Sequence, residues 1–117
     1  MATPNIIEAT ALTPAVLVQA QLASGNNDYA VPANRAWLVK SFTLTNVSAA
    51  SVTVDVLVIP TSGGTARAVL DDHVLAVNTV LVLDPAFVAM LPEAATLRIT
   101  STAATAVDVL ITGVVVQ

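Results

Sequence analysis

The chain has 117 residues, 56% hydrophobic and 10% charged, with a net charge of −4 and no cysteine. That length holds one domain, and four cationic side chains in an acidic chain exclude a phosphate-neutralising surface for nucleic acid. Without cysteine there is neither a disulfide framework nor a thiolate metal site.

Residues 1–27 open the chain as an extended arm or as edge strands. Pro4 and Pro14 punctuate them, and Ile6-Ile7 and Val16-Leu17-Val18 are short apolar runs. The segment has no basic stretch followed by a compact apolar one, so no signal peptide is expected. Gly25-Asn26-Asn27-Asp28 is a turn. Residues 28–117 are expected to form the domain proper.

Tyr29 to Pro32 is a short extended piece, and Ala33-Asn34 turns it. From Arg35 to Asn46, Leu38, Phe42 and Leu44 share one parity, the alternation of a half-buried strand. Trp37 and Val39 fall on the opposite parity, so a bulge or a switch of faces near Ser41 is expected. Val47–Ser51 is a turn of small residues. Val52, Val54, Val56 and Val58 then alternate with Thr53, Asp55, Leu57 and Ile59.

Pro60 ends that strand, and Thr61-Ser62-Gly63-Gly64-Thr65 is the strongest turn signal in the chain. A short strand over Ala66–Leu70 is interrupted by Asp71-Asp72. Apolar runs follow at Val74–Val77, Val80–Leu83 and Phe87–Leu91, and Ala86–Met90 can form a helical turn. Asn78-Thr79 and Asp84-Pro85 separate them and Pro92-Glu93 turns again; Asp84-Pro85 also argues against a membrane helix across Val74–Pro92. Thr96–Thr100 and Ala106–Val116 close the chain.

Two stretches repeat. Residues 42–59, FTLTNVSAASVTVDVLVI, and 95–112, ATLRITSTAATAVDVLIT, match at eight of eighteen positions when offset by 53. Each reads as strand, small-residue turn and strand, hence as a β-hairpin laid down twice. Eight or nine short strands with turns every ~8–12 residues predict an all-β protein: an antiparallel sandwich of jelly-roll type.

Residues with possible chemistry are few. His73 follows Asp71-Asp72, but a metal or general-base site draws ligands from several elements, and there is one histidine in all. An exposed Asp-Asp-His turn is the expectation. Asp55 and Asp108 are matching carboxylates of the two repeats and could meet across a pseudo-twofold. Mid-strand on the outward parity, they read instead as a solvated face. Gly63-Gly64 lacks the GK[ST] of a phosphate loop, and there is no Gly-x-Ser-x-Gly elbow. No enzyme activity, cofactor or metal is expected.

What stands out is how few charges the strands carry. Outward positions filled by Ala, Val, Leu and Thr point to a protein partner. Leu57, Ile59, Leu110, Val114 and Val116 are the candidate interface residues, with Trp37 as an anchor.

Tyr29-x-Val31-Pro32-Ala33-Asn34-Arg35-x-Trp37-Leu38-Val39, then Phe42-x-Leu44-x-Asn46, resembles small virion proteins of tailed bacteriophages. The alternating valine strand, the glycine hairpin and the closing Gly113-Val114-Val115-Val116 extend the likeness from Tyr29 to the C-terminus. Similar chains often carry a Gly-Asp turn before the penultimate strand, where this one has Leu91-Pro92-Glu93-Ala94-Ala95. The resemblance implies a capsid decoration protein in the virion. It would be a homo-oligomer, a trimer among the arrangements allowed, seated on the major capsid protein lattice. A neck, collar or tail component is the nearest alternative. A carbohydrate- or receptor-binding module is the alternative of another class, with Trp37 as its stacking residue.

Overall fold

A computed structural model describes residues 12–61, 63–84 and 90–117. The arm residues before Leu12, and the suggested helical turn up to residue 89, lie outside the described residues. Among the described residues there are nine strands: β1 (Leu12–Gln21), β2 (Gly25–Ala30), β3 (Ala36–Asn46), β4 (Val52–Ile59), β5 (Arg67–Leu75), β6 (Val80–Val82), β7 (Met90–Leu91), β8 (Thr96–Ser101) and β9 (Val107–Val116).

They form two antiparallel sheets. One runs β1-β9-β3-β6, with β7 also on β3; the other runs β2-β8-β4-β5. Apart from the two-residue β7 and the β4–β5 hairpin, the chain alternates between the sheets in the order of a jelly roll, two interleaved Greek keys. We call the first the five-stranded sheet and the second the four-stranded sheet.

The inward valines of β4 and β9 meet Phe42, Leu44, Leu97 and Ile99, all fully buried. Period-two alternation places them there, since successive side chains of a strand point to opposite faces. Pro14 does not interrupt β1. That strand is paired on one side only, by β9, so a missing N–H is tolerated there.

The expected bulge is present. Pairing of β3 with β9 shifts between Val39 and Ser41, which returns Trp37 and Val39 to the face of Phe42 and Leu44. At this point Gly113 faces Val39, and a Cβ on Gly113 would lie 2.1 Å from the Leu38 carbonyl oxygen. The bulge therefore requires glycine on the neighbouring strand.

The repeated segments are not hairpins. β3 pairs with β9 and β4 with β8, while β3 and β4 lie in opposite sheets, as do β8 and β9. Each repeat is an arch that carries the chain from one sheet to the other, and the first strand of each pairs with the second strand of the other. The five small residues of the turn span the inter-sheet gap, roughly 10 Å in a sandwich. The hairpin in this region is β4–β5, where Val58 faces Arg67 and, beyond the strand, the Gly64 amide donates to the Thr61 carbonyl.

Polar side chains hold the corners. Asn46 and Ser101 are the two buried polar residues among those described, and each is the last residue before an arch. Asn46 Nδ2 donates to the Ala50 and Leu75 carbonyls at 2.8 and 2.9 Å. Its Oδ1 accepts from the Ser48 amide and hydroxyl. Ser101 Oγ donates to the Ala103 carbonyl at 2.8 Å. At the β1–β2 corner, Asn27 bonds both backbone groups of Ala23 and the Ile99 carbonyl.

Three substitutions test this account, each read by equilibrium denaturation. Asn46→Ala strands buried backbone groups and is expected to cost about 2–4 kcal/mol. Gly113→Ala is expected to cost at least about 3 kcal/mol, or to prevent folding, because the atoms that a methyl group would meet all belong to the backbone of Leu38 and Val39. Ala94 has φ 67°, a left-handed conformation that glycine adopts without steric cost. It stands in the turn where the resemblance expects glycine, so Ala94→Gly is expected to stabilise by about 0.5–1 kcal/mol.

Candidate functional site

The two outer faces of the sandwich differ. Residues opposite one another in an antiparallel pair share a face, so the register reads each face as rows. Across β1, β9 and β3 of the five-stranded sheet, the rows are Pro14-Val114-Leu38, Val16-Thr112-Ser41, Gln19-Leu110-Thr43 and Gln21-Asp108-Thr45. Strand β6 adds Val82 beside Thr43 and Val80 beside Thr45, and β7 adds Met90 beside Leu38.

Leu12, Val16, Val80, Val82, Met90 and Leu110 of this sheet are all exposed, Val82 at 69% and Leu110 at 42%. Among its strands the charged residues are Lys40 and Asp108 alone. The outer face is therefore apolar toward Pro14 and Met90, and hydroxyl- and amide-rich toward Gln21 and Thr45. Gln21 Nε2 donates to Asp108 at 3.1 Å, and Thr43 Oγ1 to the Leu110 carbonyl.

The four-stranded sheet is the wet one. Its strands carry Asp28, Asp55, Asp71 and Asp72 against Arg67 and Arg98. Arg98 grips Asp28 through two bonds, Nε to Oδ1 at 2.7 Å and a second nitrogen to Oδ2 at 3.0 Å. The guanidinium holds the Asp28 carboxyl below its ordinary range, chiefly by that hydrogen bonding. Asp55 accepts from the Thr100 hydroxyl and the Asp72 amide. Tyr29 of β2 is half-buried, and burial raises its phenol above the usual value.

The structure divides the candidate interface residues. Leu110 is exposed and Val114 half-buried, both on the outer face of the five-stranded sheet. Leu57 and Ile59 are half-buried on the opposite, charged face, in line with Arg98 and Thr96. Trp37 is 8% exposed and belongs to the core, because the bulge turns it inward. It anchors the interior and offers no stacking surface. Val116 is also fully buried, between Leu12 and Ala36, and so cannot serve as an exposed contact.

The matching aspartates are not brought together. Asp55 lies on the outer face of one sheet and Asp108 on that of the other. Asp71, Asp72 and His73 are not in a loop but inside β5, where pairing with β4 is irregular between Val54 and Val56. Oxygens of Asp55, Asp71 and Asp72 come within 4.8 Å of one another. His73 is not part of that group. Asp72 takes a left-handed φ of 48° there, and its amide bond to Asp55 ties the irregular segment to β4.

What the residue-by-residue reading missed is the exposed row on β6 and β1. Val80, Val82, Leu12 and Val16 lie in apolar runs that give no parity signal strong enough to assign a face. The pairing of Val82 with Thr43 supplies it.

No protein-family model and no curated protein sequence matches the chain. Among solved structures it is similar to chains of infectious bursal disease virus. In the crystal structure of the T13 viral particle, 98% of this chain matches 29% of that one, at 17% identity and a TM-score of 0.40. In the Gt strain, 97% matches 30%, at 14% identity and 0.38. In the Gx strain, 99% matches 38%, at 14% identity and 0.30. The chain spans under two fifths of the length of each. No described helix is long and apolar enough to cross a membrane.

The Asp28–Arg98 pair has a measurable consequence. A carboxyl depressed in the folded state adds stability above its unfolded pKa, about 3.9, and loses it as pH falls through the folded value. Arg98→Gln is expected to return the Asp28 pKa toward the ordinary range in an NMR titration. The stability difference between parent and variant should be full above about pH 5 and shrink as pH falls below about 4. No movement of Asp28 would show the pair to be absent in solution.

Proposed function

We propose that the protein is a structural subunit of a tailed-phage virion, a capsid decoration protein that stabilises the head. The observation that carries this reading is the asymmetry of the two outer faces. One sheet presents charge to water; the other presents valine, leucine and methionine with hardly any charge. Buried against a neighbour, each Å² of such surface contributes about 25 cal/mol, without directional chemistry.

Two further points support it. The stretch from Tyr29 to Asn46 and the closing Gly113–Val116 resemble small phage virion proteins. Jelly rolls also recur in viral capsid domains, although they serve lectins and cupins too, so this second point is one of analogy. The major capsid protein lattice is the proposed seat of the assembled subunits, and the five-stranded sheet is suited to the contact between neighbouring subunits, with its hydroxyl- and amide-rich end as a wet rim.

The test is quantitative. Purified virions of the phage encoding this chain, resolved by denaturing gel and mass spectrometry, should contain it at hundreds of copies per particle. A dozen copies or fewer would move it to the neck or tail. Its absence from virions would overturn the reading altogether.

A further inference from the structure

Among the described residues, nothing packs on the outer face of the five-stranded sheet. Three properties of that face bear on what covers it. The first is charge. Its strands carry one cation, Lys40, and one anion, Asp108, so the face is formally neutral while the whole chain is at −4. Two copies approaching by their four-stranded sheets would bring together surfaces that each hold four aspartates and two arginines. Approach by the five-stranded sheets avoids that repulsion.

The second property is self-complementarity. In a two-fold contact the same patch meets itself, so each charge needs its opposite within the patch. One lysine and one aspartate satisfy that condition, whereas a face with a surplus of either sign would not. The rows also run from apolar at Pro14-Val114-Leu38 to hydrogen-bonding at Gln21-Asp108-Thr45.

The third is area. From Pro14 to Gln21 the face is about 24 Å long, and three strands, widened along one edge by the short β6 and β7, make it about 14–19 Å wide. That gives on the order of 400 Å² per copy and about 800 Å² for two, the size of a weak, reversible contact.

We propose that a second copy of this chain covers the outer face of the five-stranded sheet. The two copies form a two-fold, sheet-on-sheet dimer in which Val16, Val82, Leu110 and Val114 are buried. This deepens the reading of a coat subunit by naming the first partner it meets, and it stands or falls separately from the virion assignment.

The experiment is sedimentation equilibrium of the purified full chain from about 1 to 200 µM, a range set by contacts of modest area, with three variants beside it. Val82→Lys and Leu110→Lys place a charge on the proposed contact. Val74→Lys does so on the four-stranded sheet, where Val74 is 61% exposed. Circular dichroism melts establish that each variant folds.

The expected result is a dimer for the parent chain and for Val74→Lys. Val82→Lys and Leu110→Lys should weaken dimerisation at least tenfold. A parent chain that stays monomeric to 200 µM overturns the proposal, including one that associates only after capsid protein is added. So does a dimer that Val74→Lys breaks, or that both other variants leave intact. Finding the chain monomeric yet abundant in virions would reject the dimer and leave the structural role standing.

Discussion

The fold depends on how the chain turns its corners between sheets. A sheet-crossing arch must leave one ladder and join another within a few residues, and its backbone groups pass through the buried end of the sandwich. Unpaired there, each would cost about 1–3 kcal/mol. Asn46 meets this demand by offering two donors and an acceptor from one side chain. Ser101 does less, for a second arch that also bonds its neighbours: Val47 donates to Ala106, and Thr105 to Leu22. Three corners are thereby fastened to each other. The sheets can then be built almost wholly from valine, leucine, alanine and threonine.

That economy has a consequence for the surface. Because the corners fix the register, neither sheet needs charged residues to specify its pairing. The four-stranded sheet nevertheless has them, joined in the Asp28–Arg98 pair and in the Asp55 contacts with Thr100 and Asp72. Its five-stranded counterpart keeps only Lys40 and Asp108. A sandwich that served only as a soluble domain would gain by charging both faces. The one-sided distribution is the physical basis of the contact proposed for the five-stranded sheet.

Much of this was legible residue by residue. Period-two alternation marked β3, β4 and β9 and most of the core. The misfit of Trp37 and Val39 with Phe42 announced a bulge, and the bulge is there. The glycine-rich turn marked the β4–β5 hairpin. Chemistry was legible mostly as its scarcity, and the aspartate of each repeat reads as a strand-face residue in both readings.

The sequence by itself determined that the protein is all-β, where β3, β4, β8 and β9 lie, and that one segment occurs twice, but it read a turn at Gly25–Asp28 and a break at Asp71-Asp72 where β2 and β5 run. It could not determine which strands pair. A strand, five small residues and a second strand have the same alternation whether the second strand lies beside the first or across the core from it. Only the tertiary structure decided that both copies cross, because only there do Asn46 and Ser101 find the carbonyls they bond. The same holds for the faces. Leu57 and Leu110 occupy matching places in the repeat, yet one lies beside Arg98 on the charged sheet and the other beside Thr43 on the apolar one. Which of them meets a partner depends on strand neighbours that no local pattern contains.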